Sequence, residues 1–364
     1  MDPAAEVSDE QAQVFATYLL NTSKEMTMRR PINLALLLRS MASTLGFLLL
    51  VTAPNLARVE AAFPGFNGKI VFVRSVLQTP PCTGFCNFLP SQIYVMNPDG
   101  SGATALTQDS FANADPAWSP DGSRIVFAGG LINGAAGSGD IFVMEADGTG
   151  RVNLTNCPSS DRFPAWSPDG TKIVFTQAPT LFGPTGVYVM NSAPSGAACG
   201  GATLLVNDAL WPAWSPDGST IAFVAVGATT LTVGKIYLMN PDGTDVRQLT
   251  TDPSFADIQP SWSPDGSRLA FTRTPISGGP LAIDVINRDG SGLTALTTGQ
   301  GFFSNNSEPA WSPDGKKIAF SRVTRTGASI FVMNSNGNGD TQLTAIMPLS
   351  DDEQPNWQPL AARP

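Results

Sequence analysis

The chain of 364 residues contains no histidine. That absence removes Ser-His-Asp and Cys-His nucleophile pairs, histidine acid–base work and every histidine-ligated metal. Cysteine is scarce, with four residues lacking the paired C-x2-C spacing of a zinc site. Charged residues make up only 14 % of the chain, and the net charge is −9. Residues 62–364 alone carry 24 acidic and 16 basic side chains, giving −8. Such a balance argues against nucleic acid and anionic membrane as partners. No clean apolar run of about 20 residues exists, so a permanent membrane span is not expected. P-loop and dinucleotide fingerprints are also missing. The glycine-rich stretch from Gly129 to Gly139 joins two strand-like runs and reads as a loop.

What the chain does contain is repetition. Trp-Ser-Pro-Asp-Gly occurs five times, at Trp118, Trp166, Trp214, Trp262 and Trp311, at intervals of 48, 48, 48 and 49 residues. A fixed period of that size marks one supersecondary unit stacked on its copies. After each pentapeptide comes a short run such as Arg124-Ile125-Val126-Phe127, then a second such as Ile141-Phe142-Val143-Met144, then a third ending in Leu-Thr. These runs are short, rich in β-branched and aromatic residues, and bounded by Gly, Pro, Asn and Asp, which is the strand signature. With the Pro-Ala-Trp segment each unit offers four strands. The pattern predicts an all-β fold, a six-bladed β-propeller of four-stranded antiparallel blades.

The sixth unit is split. Ile70-Val71-Phe72 has no Trp-Ser-Pro-Asp-Gly before it, and the missing strand stands at the far end around Trp357. The C-terminal strand is therefore expected to join the N-terminal blade and close the ring. The repeat tryptophans Trp118, Trp166, Trp214, Trp262, Trp311 and Trp357 are expected to pack between blades. The aspartates of the Ser-Pro-Asp-Gly turns (Asp121, Asp169, Asp217, Asp265, Asp314) are expected to serve the turns.

Residues 1–61 read as a targeting segment, with Arg29 and Arg30 ahead of apolar stretches and Val59-Glu60-Ala61 as a small-residue cleavage site. Residues 1–25 are acidic, and Met26 or Met28 is an alternative start. A single propeller domain is expected over residues 62–364, exported to the periplasm or secreted. Export permits disulfides. Cys82 and Cys86 share a loop and are expected to pair. Cys157 and Cys199 are expected to lie on opposite faces of a blade and to stay apart.

Function is expected at the loops leading from one blade into the next. Acidic residues recur there ahead of each inner-strand proline: Asp115, Asp161, Asp208, Asp257, Glu308 and Asp352 within Asp351-Asp352-Glu353. Their offsets from the following tryptophan vary between three and six residues. Arg162, Phe163 and Trp211 share these loops, as do Phe111, Phe255, Phe302 and Phe303. A mouth of carboxylates and rings suits a protein, a peptide or a cell-wall glycan. The reading is a monomeric, non-catalytic binding scaffold without a cofactor. The alternative is a hydrolase or lyase that acts on glycans at the same face through carboxylates alone or with Ca²⁺.

Pro-x-Trp-Ser-Pro-Asp-Gly, Ile-Ala-Phe, Ile-Tyr-Val-Met-Asn-x-Asp-Gly and Leu-Thr together resemble the TolB-type propeller repeat over about residues 65–359. The resemblance implies the six-bladed fold. In the namesake family it also implies protein–protein contacts in an envelope complex, made near the channel mouth. That family carries an N-terminal α/β domain, which is not expected here. Similar repeats form the propeller of prolyl-oligopeptidase-type enzymes and of some lyases. Their serine–histidine and histidine–metal chemistries have no counterpart in a chain without histidine.

Overall fold

The computed structural model describes residues 65–76, 90–131, 139–178, 185–226, 234–298, 305–325, 327–345 and 350–360. All of them fall in one compact unit, Ala42–Pro364. The targeting segment, Cys82, Cys86, Phe302 and Phe303 lie outside the described residues.

Six antiparallel four-stranded sheets form the blades of a propeller. The second blade shows the plan. Its inner strand β4 (Ala112–Trp118) pairs with β5 (Arg124–Leu131), then β6 (Asp140–Glu145), then the short outer β7 (Val152–Asn153). The third blade holds β8 (Ser160–Trp166), β9 (Lys172–Ala178), β10 (Gly186–Asn191) and β11 (Thr203–Asn207). The fourth holds β12 (Ala209–Trp214), β13 (Ile221–Ala225), β14 (Lys235–Met239) and β15 (Arg247–Gln248). The fifth holds β16 (Phe255–Trp262), β17 (Arg268–Pro275), β18 (Ala282–Asn287) and β19 (Thr294–Ala295). The sixth holds β20 (Asn305–Trp311), β21 (Lys317–Thr324), β22 (Gly327–Asn334) and β23 (Thr341–Gln342).

The first blade is built from both ends of the chain. β1 (Phe66–Val76), β2 (Gln92–Met96) and β3 (Thr104–Ala105) take as inner strand β24 (Ser350–Leu360), with Ile70 opposite Trp357. Inner strands touch in succession around the ring, including β24 with β4. The last segment thus supplies the edge that β1 would otherwise leave open.

The core lies between blades. The second strand of every blade contributes a fully enclosed phenylalanine: Phe72, Phe127, Phe175, Phe223, Phe271 and Phe320. The six repeat tryptophans are all buried. The indole N–H of Trp166 donates to the Ala117 carbonyl at 3.3 Å, and that of Trp262 to Ala213 at 3.1 Å, each reaching the preceding blade. The Ser-Pro-Asp-Gly turns behave as their chemistry dictates. Ser167 Oγ and the Thr171 N–H both donate to Asp169 Oδ1, at 2.6 and 3.0 Å, while Gly170 takes φ +69°. Those bonds hold the Asp169 carboxyl below the usual aspartate range.

One expectation is corrected. Cys157 and Cys199 form a disulfide, with Cα atoms 4.9 Å apart. The expectation rests on the loops before and after a fourth strand falling on opposite faces, so that a bond would have to cross the blade. β7 has only two residues, about 7 Å of rise. The connection from β10 to β11 is also long, residues 192–202 against 146–151 in the preceding blade. It folds over that short edge, so that a Cβ on Gly200 would stand 2.8 Å from the Leu154 carbonyl oxygen.

Candidate functional site

Each inner strand is interrupted three residues before its tryptophan. The residues there are Asp115, Phe163, Trp211, Gln259, Glu308 and Gln354, and each has a positive φ between 52° and 63°. Each precedes a proline, and each falls within a register shift of the pairing to the next strand. Left-handed backbone in a non-glycine residue costs of order 1 kcal/mol, so a sixfold occurrence calls for compensation. Neighbouring blades supply it.

The Phe163 N–H donates to Asp115 Oδ2 at 3.2 Å, and the Asp115 N–H to Gln354 Oε1 at 2.6 Å. The Gln354 N–H donates to Glu308 Oε2 at 2.8 Å. The Glu308 N–H donates to Thr272 Oγ1 at 3.1 Å, and Thr272 in turn donates to Gln259 Oε1 at 2.7 Å. The Phe163 and Trp211 rings close the span to the fourth blade with centroids 5.5 Å apart. The result is a buried belt that runs from the fifth blade through the sixth, first, second and third to the fourth, with Gln259 held by Thr272 of its own blade.

The predicted acidic residues divide among three places. Asp115 and Glu308 belong to the belt. Asp161, Asp257 and Asp352 lie two residues earlier and face the second strand of their own blade, opposite Gln177, Arg273 and Arg74. Asp208 lies six residues before its tryptophan and is half-buried. The varying offsets seen in the sequence are therefore real differences of position.

Most of these carboxylates are partnered. Arg74 grips Asp352 with two bonds, Nε to Oδ1 at 2.6 Å and Nη2 to Oδ2 at 2.7 Å. Arg162 Nε donates to Asp115 Oδ2 at 2.7 Å, with its guanidinium 5.1 Å from the Phe163 ring centre. Asp257 stands between Arg273 at 3.3 Å and Lys235 at 3.5 Å. Asp161 meets only neutral donors, among them Gln177 Nε2 at 2.9 Å. Burial pushes the Asp161 carboxyl up to about 6. Burial also raises Glu308 well above the glutamate range, and the neighbouring Glu353 and Asp115 charges add to the shift. Ion pairing and proton retention make this inner ring far less negative than six carboxylates suggest.

Asp115 Oδ1 and Nη2 of its partner Arg162 are buried without a hydrogen-bond partner among the described residues, as are the indole nitrogen of Trp211 beside Phe163 and those of Trp118, Trp214, Trp311 and Trp357. The belt glutamines Gln259 and Gln354 escaped the sequence reading, which looked for charge. A signal was present, since the residue before the inner-strand proline has a constant offset from the tryptophan. Among the described residues no group of three or more Cys, Asp or Glu side chains is arranged to hold a metal ion.

With this geometry in view, the chain belongs to the TolB beta propeller domain family, which matches residues 91–200 and 203–362. No curated protein matches it. Among solved structures it is similar to TolB from Acinetobacter baumannii, with 20 % identity over 82 % of this chain and 68 % of that one, and a TM-score of 0.65. A putative TolB from Agrobacterium tumefaciens matches at 17 % identity over 81 % of this chain and all of that one, with a TM-score of 0.57. Hydrazine synthase from Kuenenia stuttgartiensis matches at 18 % identity over 83 % of this chain and 48 % of that one, with a TM-score of 0.63. At these identities the likeness concerns the fold alone. No helix among the described residues is long and apolar enough to cross a membrane.

Proposed function

We propose that this protein is an exported, non-catalytic binding scaffold that takes a protein, a peptide or a cell-envelope glycan at the mouth of its ring of inner strands. The observation that carries the reading is the group around Asp115. Asp115 Oδ1, Arg162 Nη2 and Trp211 Nε1 are one acceptor and two donors near the Phe163–Trp211 ring pair, enclosed in the structure and without a protein partner among the described residues. Unsatisfied polar atoms beside aromatic rings suit a ligand that brings both polar groups and an apolar face. The regular propeller suits a scaffold role, because its rigid blades hold such groups in fixed positions. A disulfide in the third blade agrees with an oxidising compartment.

The test is direct binding of a panel of envelope-derived peptides and cell-wall fragments to the wild type, Arg162→Ala and Trp211→Ala. Loss of binding by at least tenfold in both variants, with near-UV circular dichroism unchanged, is expected. Undiminished affinity in both folded variants would overturn the site.

A further inference from the structure

The third blade differs from its sisters in a second way. Five residues before the tryptophan, the fifth and first blades place Asp257 and Asp352 against cations, Arg273 with Lys235 and Arg74. The third blade places Asp161 against neutral groups and, through them, against the disulfide. Ser159 Oγ stands 2.8 Å from Cys157 Sγ and 2.9 Å from Asp161 Oδ1. Gln177 Nε2 spans the same two residues, at 3.6 Å from the sulfur and 2.9 Å from Asp161 Oδ1. Asp161 and Ser159 are buried, and Asp161 Oδ2 has no hydrogen-bond partner among the described residues. Both cysteines are partly accessible, and Cys199 sits in a connection whose residues 193–197 are exposed.

We propose that Cys157–Cys199 is a thiol–disulfide exchange site, with Asp161 as the proton donor to the departing Cys157 sulfur through the Ser159 hydroxyl. An exogenous thiolate attacks Cys199 Sγ from the exposed side. The new S–S bond forms there, the Cys157–Cys199 bond breaks, and its electron pair goes to Cys157 Sγ. Ser159 passes its hydroxyl proton to that sulfur and takes one from Asp161, which is left as the carboxylate. The second thiol of the same reductant then displaces Cys199. The outcome is two protein thiols and an oxidised partner dithiol, a transfer of two electrons. The reverse sequence oxidises a dithiol, with Asp161 accepting the proton. The co-reactant is thus a dithiol, small or borne by a protein.

Protonation of Asp161 sets the pH range. Burial holds its carboxyl near 6, while Gln177, Thr155 and Ser159 lower it by hydrogen bonding, and Asp140, at the start of β6, raises it by its charge. The inference is independent of any ligand at the belt.

The experiment is reduction of the native, oxidised protein by dithiothreitol between pH 5 and 8. Samples are quenched by alkylation, and peptide mass analysis separates Cys157 and Cys199 from Cys82 and Cys86. Rates are expressed per dithiothreitol thiolate. The wild-type rate is expected to fall about tenfold from pH 5 to pH 7, as a general acid of pKa near 6 loses its proton. Asp161→Asn should flatten that profile, and Ser159→Ala, which keeps the acid but breaks the relay, should flatten it as well. A per-thiolate rate independent of pH in the wild type, a bond that resists reduction at every pH, or an unaltered slope in either folded variant would each overturn the proposal.

Discussion

Asp161 carries the clearest consequence at the scale of one side chain. Its carboxyl is held at about 6 by burial, against 3.8 for an ordinary aspartate. The folded state therefore keeps a proton that the unfolded chain releases between those values. Folding gains nothing from this group below pH 3.8 and is progressively penalised as pH rises to 6 and above. The full penalty is about 3 kcal/mol as an upper figure. Asp161→Asn, which cannot ionise, should escape it. Urea denaturation of both proteins is expected to show the variant gaining on the wild type between pH 4 and pH 7, with no further gain above pH 7. Trp262 makes a simpler case. It is fully buried and its N–H is bonded across the blade boundary, so Trp262→Ala should cost about 3–5 kcal/mol in the same assay.

At the scale of the strand, the bulged inner segment is the informative element. Asp115 receives Arg162 and the Phe163 N–H from the third blade while its own N–H is bonded to Gln354 of the first. Asp115→Ala would leave a buried guanidinium and a buried amide without their acceptor, at a cost of about 3–5 kcal/mol. Both donors use the same oxygen, Oδ2, so Asp115→Asn with its one oxygen there keeps both contacts, loses only the charge and should cost less. Ordering the two variants by denaturation midpoint checks the arrangement. A smaller loss in the alanine variant would contradict it.

The bulge was also what the sequence hid. Strand order, turn chemistry and buried faces were legible because apolar period, proline and glycine report on them directly. A left-handed backbone at six positions filled by Asp, Phe, Trp, Gln, Glu and Gln is not, since no residue type marks it and a following proline ordinarily favours extended geometry. Without the bulge, acidic residues at offsets of three, five and six from the tryptophan looked like one irregular ring. With it, they become a belt position, a position facing the second strand and a half-buried entry position. The disulfide was misjudged for a related reason. Its feasibility depended on the length of β7, and a two-residue strand is below what residue pattern resolves.

For the molecule as a whole, closure is the decisive feature. β24 is the inner strand of the first blade, and its Gln354 links Glu308 of the sixth blade to Asp115 of the second. Deleting residues 350–364 should therefore do more than expose one strand edge. The belt would lose its link at the junction, and the Trp357 packing against Ile70 and Phe72 would go with it. Amide hydrogen exchange is expected to accelerate in β1 and in both flanking inner strands, β4 and β20, and the single urea transition to broaden. Exchange confined to β1 would show that the blades stand independently.

The same closure bears on how the molecule comes into being. A ribosome delivers β1 before every other strand of the ring and its mate β24 after all of them. Until β24 is made, the opening hairpin carries an apolar, unmated flank, and no shorter length of nascent chain can complete the circle. Ring closure must await β24, and a holding factor or a slow, late annealing step would have the most work to do at Ile70, Val71 and Phe72.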